Sequence, residues 1–418
     1  MAGRAATGDG TIDSERLIPP SWLDVVLLLS AAAAMAALTW LGWADPLVDF
    51  GREIYTPWQL AEGARLYTDI AWFNGPLSQH VNALWFRVFG PGMHVLFMAN
   101  AVVLAFTTVV LHRLLDAVAG RVAAGLAVAV VLLVFAFGQY VGIANYNWMA
   151  PYAHELTHGI ALALASVAAL SAANARRDVR FAAVGGVLLG LCALTKAEAL
   201  LAGGAGNAVL VVASIREGRR SALVWLAGAV APPAAAFVLF GAEGALGAVA
   251  SVFGGGVAEL PFYQAGLGLD DPALRAAETT TWASIWALVL GVAVAAAWLA
   301  RETTSPFSGV LAFCVTAGAV LAAGGRVPWT DALRPLQLVV MTVLVALTWA
   351  RFRVGRAGGA APGSGGNGRA GSSPDADLAL LAHRLDTALA LGLLSLVLLA
   401  KMLLNVRSAH YGFALAMP

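Results

Sequence analysis

The sequence predicts an all-α, polytopic membrane protein, and three observations carry that prediction. Hydrophobic residues make up 60% of the 418-residue chain and charged residues 12%, with a mean hydropathy of +0.78; an ordinary soluble domain carries about twice that share of charge. Apolar runs of roughly 20 residues, the length that crosses a hydrocarbon core, recur from end to end. Between them, Lys and Arg are dense in alternate connections and sparse in the others, the asymmetry that orients membrane helices. The formal net charge is +1, and no basic run is dense enough to grip nucleic acid.

Taken in order, about eleven transmembrane helices are expected, near 22–43, 93–112, 122–140, 156–174, 181–195, 199–215, 221–241, 282–300, 308–324, 333–350 and 385–404. With the N-terminus inside, sixteen of the 25 Lys and Arg residues fall on the inner side, densest in the short turns ARRDVR and REGRR. Residues 1–21 read as a cytoplasmic tail without the charged-then-apolar plan of a cleaved signal peptide. Residues 22–350 form the transmembrane domain, with an outer loop at 44–92. Residues 351–384, built around GRAGGAAPGSGGNGRAGSSPDAD, read as a flexible cytoplasmic linker, and no fold is expected there. Residues 385–418 begin with one more span, then start a new apolar run and stop, as a fragment of a longer protein would. Cys192 and Cys314 lie within apolar runs and read as small core hydrophobes, with neither disulfide nor metal-binding spacing.

The outer loop from Asp45 to Gly92 is unlike an ordinary connector. It sets Asp49, Arg52, Glu53, Glu62, Arg65 and Asp69 among Trp58, Trp72, Phe73, Trp85 and Phe86. That mixture suits short amphipathic helices lying in the interface, with rings at headgroup level and charges toward water. Carboxylates beside a bilayer are costly unless they have a partner or a task. Asp49 is the candidate catalytic group, and Arg52, Glu53, Tyr55, Asp69 and Asn74 are candidate substrate-binding residues.

Other outer segments add candidates. Residues 138–152, GQYVGIANYNWMAPY, are aromatic, amide-rich and uncharged, a composition that suits either stacking on a sugar or an aromatic belt. The run at 181–195 is about fifteen residues, too short to cross fully, and ends in Lys196 and Glu198. An ammonium and a carboxylate are thereby left near membrane depth, either paired with one another or poised for function. Arg326, Arg334, Arg407 and Tyr411 complete the outer set.

Residues 154–158 read His-Glu-Leu-Thr-His. On a helix, histidines at i and i+4 share one face and can hold zinc, with the glutamate as general base, as in intramembrane metalloproteases. His154, Glu155 and His158 are therefore candidate ligands of a divalent metal ion, the one cofactor suggested. A zinc protease needs a third ligand in a recognisable setting, and the sequence offers no such motif. A polar helix start is the plainer reading.

The run VDFGREIYTPWQLAEGARLYTDIAWFNGPLSQHVNALWFRVFG resembles the membrane glycosyltransferases of the GT-C class. The likeness is to the bacterial branch with protein mannosyltransferase-like, aminoarabinose transferase-like and RgtA/B/C/D-like enzymes. An acidic residue is followed by the G..LY.D pattern, then by Gly-Pro-Leu ahead of a helix ending in Phe-Gly. GVLLGLCALTKAEALL resembles the family's GL..LTK segment, which brings in Lys196. Many members pair two acids at the catalytic point, whereas here Asp49 is followed by Phe50, Gly51, Arg52 and Glu53. The family's later spans and outer C-terminal region are short or absent here.

The resemblance implies a GT-C-like catalytic domain in the cytoplasmic membrane of a bacterium. It implies a sugar donor on a polyprenyl phosphate and an acceptor that is lipid, polysaccharide or protein. Transfer would occur at the outer face with inversion, Asp49 serving as general base on the acceptor hydroxyl. The departing lipid phosphate needs positive charge where its own charge grows; Arg52, Lys196, Arg326, Arg334 and Arg407 are the outer cations able to supply it. Two other classes stand beside this expectation: the zinc protease, and a lipid-linked sugar transporter or flippase. Transporters commonly carry internal repeats of their spans, and none is evident in this sequence.

Overall fold

A computed structural model describes residues 22–40, 42–47, 50–137, 147–253, 261, 264–265, 269–300, 329–359 and 374–400. Among them the ordered elements are helices, with an isolated bridge between Leu66 and Ile70. An apolar run deprived of water must satisfy its backbone internally, and a helix does so within one segment.

The first helix, α1 (Trp22–Leu38), ends where Thr39 Oγ1 bonds back to the Met35 carbonyl. Two short helices follow, α2 (Phe50–Ala61) and α3 (Leu77–Phe89). Next come α4 (Met93–Ala119) and α5 (Arg121–Val130), the latter continuing as a π-helical turn over Val131–Ala136. The centre holds α6 (His154–Arg176), α7 (Val179–Ala193), α8 (Ala197–Glu217) and α9 (Arg219–Phe253), the last kinked at Gly241. The chain continues through α10 (Pro272–Ala300), α11 (Trp329–Ala332), α12 (Leu336–Gly359) and α13 (Pro374–Leu399).

Six described helices are long and apolar enough to cross a membrane: Met93–Ala119, His154–Arg176, Ala197–Arg216, Arg219–Gly241, Leu336–Ala357 and Ala376–Leu399. The expectation of about eleven is thus met for six. Val26–Leu38, Arg121–Ala136 and Val179–Ala193 are shorter apolar helices. The expected span at 282–300 lies within α10, which is not among the six, and that at 308–324 lies outside the described residues, as does Cys314. The linker expected at 351–384 is helical at both ends: α12 runs on to Gly359 and α13 begins at Pro374. Arg351 bonds Asp386 at 2.8 Å across those two helices, while Arg353 and Arg356 lie over Trp349 and Phe352. Paired and stacked, these arginines extend the helix beyond its apolar stretch.

At the middle, α6 packs on α7, α8 and α4, and most of its first three turns are buried. Close approach comes from small residues on α7 and α9. A side chain at Gly186 would strike the Trp225 carbonyl, and one at Gly228 would come within 2.8 Å of the Ala183 carbonyl. Such small-residue seams let apolar helices associate by dispersion contacts. With only 15 residues, α7 rises about 22 Å, short of a hydrocarbon core of about 30 Å.

At one end of the bundle, α2 and α3 form a layer against the starts of α4 and α6 and the residues joining α7 to α8. Buried Phe50, Glu53, Pro57 and Leu60 repeat at spacings of three and four along one face of α2. On α3 polar residues share the buried face with Ala83 and Phe86. Ser78, Gln79 and Asn82 are fully buried, whereas Leu84, Val88 and Phe89 are exposed. A helix with polar residues inward and apolar ones outward belongs against lipid on its outer side, its polar face turned to a site.

Candidate functional site

The polar inner faces of α2 and α3 meet the first turn of α6. Glu53, fully buried, anchors the cluster. Its Oε2 accepts from His154 Nδ1 at 2.7 Å, from the His154 backbone N–H at 3.1 Å and from Gln79 Nε2 at 3.2 Å. Ala153 at the start of α6 offers no capping side chain, so Glu53 supplies the cap from another helix, where a negative charge also meets the positive end of the helix dipole. Oε1 accepts from Arg52 Nη2 at 3.2 Å. Burial works to raise the Glu53 pKa; the hydrogen bonds from His154 and the Arg52 charge outweigh it, leaving the carboxyl below the ordinary glutamate range.

Gln79 extends the cluster by donating from the same nitrogen to Glu155 Oε1 at 2.9 Å, so one amide bridges two buried carboxyls. Asn100 on α4 closes the other side. Its Nδ2 donates to the Met149 carbonyl at 2.9 Å and lies 3.1 Å from His154 Nε2. Several buried polar atoms around this junction have no hydrogen-bond partner among the described residues, Ser78 Oγ, Gln79 Oε1, Asn82 Oδ1 and Glu155 Oε2 being four of them. Buried orphans are rare in stable cores, and a concentration of them marks a place held for something other than packing.

Above the carboxyls lie two cations. Arg52 donates to the Tyr152 carbonyl at 3.0 Å and sits over the faces of Trp72 and Phe73, 5.5 and 5.2 Å from the ring centroids. Lys196 Nζ donates to the Tyr152 hydroxyl at 2.7 Å and pairs with Glu198 at 3.4 Å. Tyr152 therefore holds Arg52 by its backbone and Lys196 by its side chain. The Lys196 position is set by a seam in which the Gly75 N–H donates to the Thr195 carbonyl and Leu77 N–H to Leu194. A side chain at Gly75 would collide with the Leu194 carbonyl, so glycine is required for that approach.

Compared with family models, curated proteins and solved structures, the chain matches none.

Of the expected candidates, Arg52, Glu53, Lys196, His154 and Glu155 are brought together. His158 lies one turn along α6, its ring centroid 5.9 Å from that of His154. Asn74 joins the rim, its carbonyl accepting from the Tyr67 hydroxyl at 2.7 Å. Burial, and secondarily the Glu155 carboxyl, push the Tyr67 phenol well above the ordinary tyrosine range. Tyr55 and Asp69 stand apart. Tyr55 is exposed, edge-on to Trp58, and Asp69 is exposed and bonded to Arg65, whose backbone N–H and side chain lower its pKa. Arg334, on the link between α11 and α12, is tied to Asp331 and Glu278. Asp49, Arg326, Arg407 and Tyr411 lie outside the described residues.

The HELTH segment assembles differently from the two-histidine metal face expected of it. His154 turns Nδ1 to Glu53 and Nε2 to Asn100, and no group of three or more His, Cys, Asp or Glu among the described residues is arranged to hold a metal ion. Gln79 and Asn100 are not among the expected candidates, and Tyr67 enters the sequence analysis only as the tyrosine of the G..LY.D pattern. The one signal was spacing: Ser78, Gln79 and Asn82 place three polar residues on one helical face where apolar ones would pack.

Proposed function

We propose that the protein is a GT-C-like glycosyltransferase that moves a sugar from a polyprenyl-phosphate donor to an acceptor at the outer face of the cytoplasmic membrane, with inversion. One observation carries this reading: Arg52 and Lys196 are held on either side of Tyr152, over a buried carboxyl cluster, in a layer that exposes Tyr55, Trp58, Leu84, Val88 and Phe89. A lipid phosphate arriving from the bilayer brings negative charge, and its charge grows as the sugar leaves. Two cations fixed beforehand stabilise that growth without reorganising. Asp49, directly before α2 in the sequence, is the general base that takes the acceptor proton.

The test is transfer from radiolabelled polyprenyl-phosphate sugars by purified protein in lipid nanodiscs, wild type beside Asp49→Asn and Arg52→Ala. Wild-type turnover, abolished by Asp49→Asn and reduced about 100-fold by Arg52→Ala, is the expected result. Wild-type turnover that both variants retain would remove these residues from the chemistry. No transfer from a panel of donors by folded protein would count against the activity itself.

A further inference from the structure

We infer that Glu53 and His154 are positioning residues for Arg52, so that the HELTH segment serves the reaction by aiming a cation. This rests on the transferase reading above. The argument starts at Asn100. Its Nδ2 must be the nitrogen, because it faces the Met149 carbonyl at 2.9 Å, which can only accept. The same nitrogen lies 3.1 Å from His154 Nε2. A donor there requires Nε2 to accept, which puts the ring proton on Nδ1, pointing at Glu53 Oε2 over 2.7 Å. This tautomer follows from the hydrogen-bond network. Neither ring nitrogen then has a lone pair left to ligate a metal or take a substrate proton.

With its Oε2 engaged by His154 and Gln79, Glu53 presents Oε1 to Arg52, which it meets through Nη2 at 3.2 Å and Nε at 3.4 Å. The guanidinium is thereby fixed against Tyr152 and over Trp72 and Phe73. The ring of Phe50, one helical turn before Ile54, reinforces the arrangement from below. It is fully buried, with its centroid 6.0 Å from those of both Phe97 and His154. The relay Asn100–His154–Glu53–Arg52 therefore links three helices and ends on the cation at the rim. Each link is a directed hydrogen bond, so losing the His154 ring leaves Glu53 Oε2 to the His154 backbone N–H and Gln79 alone, loosens its orientation and lets Arg52 drift. A displacement of about 1 Å at a reacting centre can cost about 100-fold in rate.

The experiment measures kcat and donor KM for His154→Ala, His154→Gln, Arg52→Ala and the double variant His154→Ala/Arg52→Ala. Amide hydrogen exchange over residues 50–61 is followed in each. His154→Ala is expected to lower kcat between about 10- and 100-fold with donor KM changed less than about threefold. His154→Gln, which keeps an N–H toward Glu53, restores most of the rate. In the Arg52→Ala background the His154→Ala loss disappears, because the two act as one unit. Additive losses would place His154 at the reacting atoms and overturn the proposal, as would unchanged exchange over 50–61 in His154→Ala. If wild type transfers no sugar, the transferase reading fails, and exchange decides the relay: faster in His154→Ala and recovered in His154→Gln keeps it, no difference sinks it. Should His154→Ala not fold, His154→Leu, which fills the space but offers no N–H to Glu53, and its double with Arg52→Ala carry the same cycle.

Discussion

Glu53 Oε2 receives both the ring Nδ1 of His154, at 2.7 Å, and its backbone N–H, at 3.1 Å. A single carboxylate on α2 thus caps the start of α6 and orients its first side chain. Both groups are fully buried, so the pair is shielded from competing water and salt.

Removing that carboxylate has a defined cost. Glu53→Ala uncaps α6, leaves His154 without its acceptor and strips Arg52 of its partner within the layer. Leaving the buried donors of His154 and Gln79 without their acceptor costs about 1–3 kcal/mol. A loss of that size is expected in denaturant unfolding of the protein in detergent micelles. A midpoint within experimental error of wild type would show that the layer is held by its rings alone.

Acid should act through the same group. The Glu53 pKa is lower in the folded protein than the ordinary glutamate value, so the folded state binds its proton more weakly than the unfolded chain does. Its contribution to stability is complete above the unfolded value and is lost as pH falls toward the folded one. Stability of the wild type therefore declines on acidification through and below the ordinary glutamate range. Glu53→Gln, with no proton to gain, should be less stable at neutral pH and flatter across that window. Parallel curves for the two proteins would contradict the assignment.

Much of the fold was legible because hydrophobic runs and arginine-rich turns obey simple physics. ARRDVR and REGRR mark the turns between α6, α7, α8 and α9, and the 15-residue length of α7 follows from the short apolar run before Lys196. The site was legible where residues are chemically expensive: Glu53, His154, Glu155 and Lys196 drew attention because charge near lipid needs a reason. Partnerships were not. His154 and His158 share the spacing of a metal face, yet the nitrogen atoms of His154 are committed to Glu53 and Asn100, which come from other helices. Asp69 and Tyr55 look as functional in sequence as Glu53 does, and only their position on the outward side of the layer separates them. The linker was misjudged at its ends because glycine-rich composition hides how far stacked arginines carry a helix.

The seam between loop and bundle makes a steric prediction. In Gly75→Ala the new methyl group meets the Leu194 carbonyl, and the two hydrogen bonds from Gly75 and Leu77 to Thr195 and Leu194 must lengthen. Overpacking of this kind costs about 1–3 kcal/mol. Because the strain falls where the start of α3 meets the residues joining α7 to α8, limited proteolysis should cut residues 62–76 faster in the variant, while cleavage elsewhere stays unchanged. Wild-type rates across that stretch would mean that the layer is not held through Gly75.

The placement of the two ends can be read directly. The chain enters α6 at the polar layer and leaves it at Arg176, so the layer and the turns at 176–180 and 216–220 lie at opposite ends of a helix about 35 Å long. In a background with Cys192→Ala and Cys314→Ala, a single Glu62→Cys probes the layer and a single Arg219→Cys the opposite end. Both positions are exposed. With the basic turns on the inner side, a membrane-impermeant maleimide added to intact cells should label Glu62→Cys at once. Arg219→Cys should react only after the membrane is opened. The reverse pattern would invert the orientation and take the site away from the outer face, where a lipid-linked donor is expected to arrive. Labelling of both positions in intact cells would mean that α6 and its neighbours do not cross the membrane as described.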